Sequence, residues 1–173
     1  MTANLVTFIR ILISIALIGL NPLSVLFKGL YLATGISDML DGAIARATNT
    51  TSTVGARLDS LADLVFCMVA LYKILPFVTF QEHVPALIIF IVAIRGISAV
   101  LCKLKFGQVA MMHTLGNKMT GLALFIFFFF MESSLSGFYQ YMLCFMGCAS
   151  ALEELMIHAT SNDLDLNRRR LWR

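Results

Sequence analysis

Charged side chains are scarce in this chain of 173 residues: Asp, Glu, Lys and Arg together make up 13% of it, whereas 59% is hydrophobic and the mean hydropathy is +0.85. A water-soluble domain of this size needs far less apolar material, so the composition excludes the soluble classes and indicates an integral membrane protein. The sequence also lacks the short alternating segments of a transmembrane β-barrel. Nearly continuous apolar runs at 86–94 and 125–131 predict helices instead.

Cysteine is infrequent as well, and the four cysteines lie within apolar runs: Cys67, Cys102, Cys144 and Cys148. None is paired with histidine at a spacing typical of metal ligands. Because free cysteine behaves as a small buried hydrophobe, we interpret all four as structural thiols.

Short polar and proline-containing breaks divide the chain into six predicted helices, at about residues 4–20, 23–47, 56–78, 84–105, 114–132 and 138–158. A helix needs about 20 apolar residues to cross the hydrocarbon, so six crossings use nearly the whole chain. We therefore predict an all-α, polytopic membrane protein: a bundle of six transmembrane helices that forms a single domain over residues 1–173.

The distribution of basic residues predicts the orientation, since cytoplasmic loops collect Lys and Arg. With both termini inside, the following nine lie on the cytoplasmic side: Arg46, Arg57, Lys103, Lys105, Lys118, Arg168, Arg169, Arg170 and Arg173. Only Lys28 and Lys73 lie toward the other side. The loop between the second and third helices is then cytoplasmic, and the basic tail is interpreted as an anchor on anionic lipid head groups.

Four aspartates fall within one window of 26 residues: Asp38, Asp41, Asp59 and Asp63. Carboxylates at membrane depth are costly and are functional candidates by default. Each pair is three or four residues apart, hence on one helix face, and a short hairpin brings the two faces together. Four such charges repel one another unless cations lie between them. The pattern predicts Mg²⁺ or Mn²⁺, two ions of which can clamp a phosphoryl transfer.

The complete window reads D-x2-D-G-x2-A-R-x8-G-x3-D-x3-D and resembles the signature of the CDP-alcohol phosphotransferases, membrane enzymes of phospholipid synthesis. The resemblance implies that Asp38, Asp41 and Asp59 hold the metals. Asp63 would join them as a ligand and also serve as the general base toward the acceptor hydroxyl. The family also implies a homodimer, and the distribution of basic residues predicts a protein of the cell membrane with its active site toward the cytoplasm.

The same resemblance implies a site for the cytidine diphosphate moiety, lined by Asp38, Gly42, Ala45, Arg46 and Gly55. A second stretch is similar to the Asn-x2-Thr-x2-Arg opening of bacterial members and adds Asn4 and Thr7, followed by Arg10. The implied donor is CDP-diacylglycerol, and CMP is released. No nucleic-acid partner is predicted.

The acceptor alcohol is predicted from the fourth helix, where Arg95 lies in the middle of an apolar run and needs an anionic partner or ligand. Lys103 follows about two turns later on nearly the same face. Together with Lys118 these cations suit a phosphorylated acceptor such as glycerol 3-phosphate, which we predict, or inositol phosphate. The helix partly resembles that of bacterial phosphatidylglycerophosphate synthases, although Gly96 and Lys103 stand where those enzymes have Glu and Arg.

Several alternatives remain open. Arg95 could pair internally with Glu153 or Glu154. Alternatively, these glutamates could contact the amine of serine, which would then be the acceptor alcohol; free inositol is a further alternative acceptor. A different enzyme class, the intramembrane prenyltransferases, carries its aspartate motifs far apart. A non-enzymatic cation carrier would use the aspartates as ion ligands, but it leaves the glycines and Arg46 of the window unexplained.

Overall fold

A computed structural model describes residues 2–48, 53–108 and 114–161. These residues form six α-helices and no strand, which confirms the all-α prediction. In chain order the helices are α1 (Thr2–Ile18), α2 (Val25–Thr48), α3 (Thr53–Ile74), α4 (Val84–Phe106), α5 (Leu115–Phe130) and α6 (Ser136–Thr160).

The predicted helix boundaries differ by a few residues because local hydrogen bonds set the ends. The α2 helix begins at Val25, since Ser24 Oγ accepts the backbone N–H of Phe27 at 3.1 Å and so caps the helix. Thr114 caps α5 in the same way, accepting the N–H of Asn117 at 3.2 Å. The α3 helix ends at Ile74, and a 3-10 turn that contains Pro76 follows it.

The first three helices form one compact unit, Met1–Val78, in which α1 packs against both α2 and α3. Tyr31 of α2 and Phe66 of α3 add an aromatic contact, with ring centroids 5.2 Å apart. At the carboxyl end of α1, Lys73 Nζ of α3 donates to the carbonyl oxygen of Ile18 at 2.9 Å. The α1 helix is therefore the common packing partner of α2 and α3.

The last three helices form a second unit, Thr79–Arg173, in which α6 packs against α4 and α5. Gln140 of α6 accepts the N–H of Gln81 at 3.1 Å and donates to the carbonyl oxygen of Thr79 at 2.9 Å. At the other end of α6, Lys105 Nζ donates to the carbonyl oxygen of Ala159 at 2.8 Å. Hydrogen bonds near both ends of α6 therefore connect it to other residues of this unit.

Two of the helices in the described residues are long and apolar enough to cross a membrane, α4 and α6, with mean hydropathies of 2.4 and 1.3 over their most apolar windows. Residues Thr7–Ile18 and Leu115–Phe130 are shorter apolar helices. Large apolar side chains lie on the surface of both units, including Val25 and Phe145, as expected of a protein in contact with lipid. Six crossings stay a prediction.

Candidate active site

Two aspartates of the window meet at one arginine. Arg10 of α1 is buried, and its guanidinium contacts Asp38 of α2 through Nη1 at 2.5 Å and Asp63 of α3 through Nη2 at 3.1 Å. The carboxylate side chains are 44% and 52% exposed, so they lie between the buried cation and the surface. The first and fourth aspartates of the window therefore converge, as predicted.

The sequence positions Arg10 through its own helix. Ser14, one turn later, is fully buried and donates its hydroxyl to the carbonyl oxygen of Arg10 at 2.8 Å. Thr7, one turn earlier, is also buried. These small polar residues share one side of α1, which is the side that can face both α2 and α3.

The remaining residues of the window lie on continuous helix, but their side chains are outside the described part of the structure. These are Asp41, Gly42, Ala45 and Arg46 in α2, and Gly55 and Asp59 in α3. The side chain of Asn4 in α1 is likewise outside it. The roles predicted for them stay predictions.

A second polar cluster lies within the other unit and joins three helices. Arg95 of α4 contacts Glu154 of α6 and Asn117 of α5, each at 2.8 Å. Asn117 Nδ2 donates to the same Glu154 oxygen at 3.3 Å, and Ser150 donates its hydroxyl to Asn117 Oδ1. Of the alternatives considered for Arg95, an internal pair with a glutamate of the last helix is thus observed.

The other two cations predicted to bind the acceptor do not join this cluster. Lys103 and Lys118 are exposed, and among the described residues neither is in hydrogen-bond or ion-pair contact with Arg95 or Glu154. Glu153 lies close to the start of α5: a Cβ built at Gly116 would be 2.9 Å from its Oε2. The glycine permits this approach of carboxylate and helix.

Comparison with known proteins identifies the family. The family model for CDP-alcohol phosphatidyltransferase matches residues 1–153. The chain belongs to this family. A curated relative, the CDP-diacylglycerol–serine O-phosphatidyltransferase of Methanocaldococcus jannaschii, is 38% identical over 63 residues. That alignment covers 36% of this chain and only 29% of the relative's length. No solved structure matches the chain.

Carboxylate oxygens are the ligands that Mg²⁺ and Mn²⁺ prefer, and Asp38 and Asp63 each contact Arg10 through such an oxygen. A divalent cation bound at these residues stays a prediction. The described residues contain no group of three or more metal-binding side chains. Asp41 and Asp59, which would complete the set, are among the side chains outside them.

Sequence reasoning missed the role of Arg10 in this family member, although a signal was present. An arginine inside an apolar helix needs an anionic partner or a polar cavity, as argued for Arg95. The same argument applied to Arg10 points to the aspartates as its partners. The sequence does not show which of the four aspartates Arg10 contacts, because that depends on how α1 packs against α2 and α3.

Proposed function

We propose that this protein transfers a phosphatidyl group from CDP-diacylglycerol to a small polar alcohol and releases CMP. The observation that carries the proposal is the convergence of Asp38 and Asp63 from two helices at Arg10. Membership of the CDP-alcohol phosphatidyltransferase family supports the same reaction class.

In the proposed reaction Asp63 takes the proton from the acceptor hydroxyl. The oxygen of that hydroxyl bonds to the phosphorus of the phosphatidyl group, and the bond from this phosphorus to the oxygen of CMP breaks. Asp38, Asp41 and Asp59, together with Asp63, would hold Mg²⁺ or Mn²⁺, and the metal would supply positive charge that stabilises the charge developing on the reacting phosphate.

The nucleotide is proposed to lie along α2 and the start of α3. Gly42 and Gly55 allow its phosphates to approach the backbone closely, Ala45 keeps that face shallow, and Arg46 pairs with phosphate. Asn4 and Thr7 of α1 add polar contacts. The proposal is supported by the continuous helices on which these residues lie.

For the acceptor we propose glycerol 3-phosphate first, on the basis of Arg95, Lys103 and Lys118. A specific observation favours serine as the second candidate. The charge of Arg95 is already compensated by Glu154, whose side chain is 7% exposed, and a phosphate placed there would be repelled by that carboxylate. A zwitterion can complement both charges, and the relative named above acts on serine.

The test is release of CMP by the purified protein supplied with CDP-diacylglycerol and one acceptor at a time: glycerol 3-phosphate, serine, inositol or inositol phosphate. We expect release with one acceptor, only with Mg²⁺ or Mn²⁺, and none after chelation of divalent ions. Activity with serine and none with glycerol 3-phosphate would reassign the acceptor and leave the reaction class intact. Release that persists in excess chelator would contradict the metal assignment.

Orientation and assembly belong to the same proposal. The excess of basic residues supports an active site at the cytoplasmic face of the cell membrane, with both termini in the cytoplasm. A homodimer is proposed from the family alone.

A further inference from the structure

Arg10 lies in an apolar helix and, among the described side chains, contacts carboxylates on two other helices, Asp38 of α2 and Asp63 of α3. It is 2% exposed, and arginine keeps its proton under all ordinary conditions. A cation so placed requires compensation, and the contacts to Asp38 and Asp63 provide it.

The two contacts use different nitrogens of one rigid, planar group. Nη1 reaches Asp38 and Nη2 reaches Asp63, so the width of the guanidinium sets the separation of the two carboxylates. No local feature of the sequence could set it, because the aspartates are on separate helices and 25 positions apart.

The contact between Arg10 and Asp38 uses one oxygen, Oδ1, of that carboxylate. A carboxylate has two oxygens, so Asp38 held in this way can also bind a cation through the other. The exposed fractions of the aspartates, 44% and 52%, agree with this arrangement: the arginine approaches from inside and leaves an outer side of each carboxylate accessible.

We propose that Arg10 is a positioning residue that holds Asp38 and Asp63 at the separation and orientation needed for phosphatidyl transfer; the inference rests on the function proposed above. Its positive charge also reduces the repulsion between the aspartates. Lysine is not equivalent, since its single ammonium nitrogen cannot present two fixed donors to two helices.

The test compares Arg10→Gln, Arg10→Lys and a control, Lys73→Gln, with the parent protein. Lys73 also connects α3 to α1, through the carbonyl oxygen of Ile18, and it contacts no aspartate whose side chain the structure describes. Mn²⁺ binding is measured by electron paramagnetic resonance without substrate, and kcat and the donor KM are measured with CDP-diacylglycerol.

We expect Arg10→Gln to weaken Mn²⁺ binding and to lower kcat by between about 10- and 100-fold, because misplacement of reacting groups by about 1 Å has effects of that size. The donor KM should change less than kcat. Arg10→Lys should recover part of both losses, since it keeps the charge. Lys73→Gln should lower the melting temperature and leave Mn²⁺ binding and kcat near the parent values.

Two results would overturn the proposal. If Arg10→Gln bound Mn²⁺ more tightly than the parent, Arg10 would compete with the metal rather than position its ligands. If both quantities stayed within about twofold of the parent, Arg10 would have no role in the site. Should Arg10→Gln fail to fold, Arg10→Lys decides by the same measurements. A parent protein that neither binds Mn²⁺ nor releases CMP would instead contradict the proposed function itself.

Discussion

Among the described side chains, Arg10 and Arg95 both have acidic partners but show opposite patterns of exposure. Arg10 is 2% exposed and its aspartates are about half exposed, whereas Arg95 is 37% exposed and its partner Glu154 is only 7% exposed. The first arrangement buries the cation and presents carboxylates, which suits the binding of metal ions. The second buries the carboxylate and presents the cation. The side chain of Arg95 is therefore partly accessible although it is paired.

Substitution of the aspartates should separate metal ligands from the base. Asp38→Asn removes a ligand of the proposed donor site, so both Mn²⁺-dependent CDP binding and turnover should be lost. Asp63→Asn should lower turnover by about 10²- to 10⁴-fold, the usual contribution of a general base, and retain more CDP binding. Calorimetric titration with CDP and Mn²⁺, beside the CMP-release assay, measures both. Equal loss of CDP binding in the two variants would remove the distinction.

Arg95→Ala tests whether the exposed guanidinium binds the acceptor. A lost charge-assisted contact is worth about 1.5–3 kcal/mol, which corresponds to an increase of the acceptor KM by about tenfold or more. The donor KM should change little. Because Glu154 then loses its cationic partner, the melting temperature should fall as well, and the double variant Arg95→Ala, Glu154→Gln should recover part of that stability.

The matched control is Lys105→Gln on the same helix. Lys105 bonds the last carbonyl oxygens of α6 and is not among the predicted acceptor residues. It should lower stability without raising the acceptor KM. An Arg95→Ala protein that is destabilised but keeps the parent acceptor KM would assign Arg95 to structure alone.

At the scale of the helix, the sequence predicted all six helices but not what each would contact. Apolar runs and polar breaks locate the helices, and capping side chains such as Ser24 then fix the ends to within a few residues. The convergence of the aspartates follows from helical spacing and a hairpin. The position of α1 between α2 and α3, and hence the role of Arg10, depends on tertiary packing, which leaves little trace in a single sequence.

Thr114 caps α5, the helix that carries Asn117 into the polar cluster of Arg95 and Glu154. It is fully buried and begins α5 three residues before Asn117, the residue that contacts both Arg95 and Glu154. Both variants lose the buried methyl group of Thr114, but serine keeps the capping hydroxyl, so Thr114→Ala should be less stable than Thr114→Ser by about 1 kcal/mol, the usual effect of losing a cap. Thermal unfolding in detergent measures the difference. Equal melting temperatures of the two variants would show that the hydroxyl does not stabilise α5.

At the scale of the whole molecule, the hydropathy of the described residues supports two crossings, whereas the sequence predicts six. The α4 and α6 helices satisfy length and hydropathy, whereas α2 and α3 carry the aspartate window. Ionisable residues that serve a site reduce the mean hydropathy of the helices that carry them. The composition predicts a membrane protein, but the mean hydropathy of single helices does not determine how many of them cross the membrane. Labelling of the turns measures that number.

Six crossings with both termini in the cytoplasm predict opposite locations for the turns that flank α4. Single cysteines are introduced at Glu82, before α4, and at Gln108, after it, in a background without the four native cysteines; both positions are exposed. Glu82→Cys should react in intact cells with a membrane-impermeant maleimide, and Gln108→Cys only after permeabilisation. The physical reason is that Lys103 and Lys105 lie near the second turn, and basic residues are retained on the cytoplasmic side. The background protein should stay unlabelled. If Gln108→Cys were labelled from outside and Glu82→Cys were protected, the predicted orientation would be wrong. The aspartate window would then lie at the outer face of the membrane, away from cytosolic substrates.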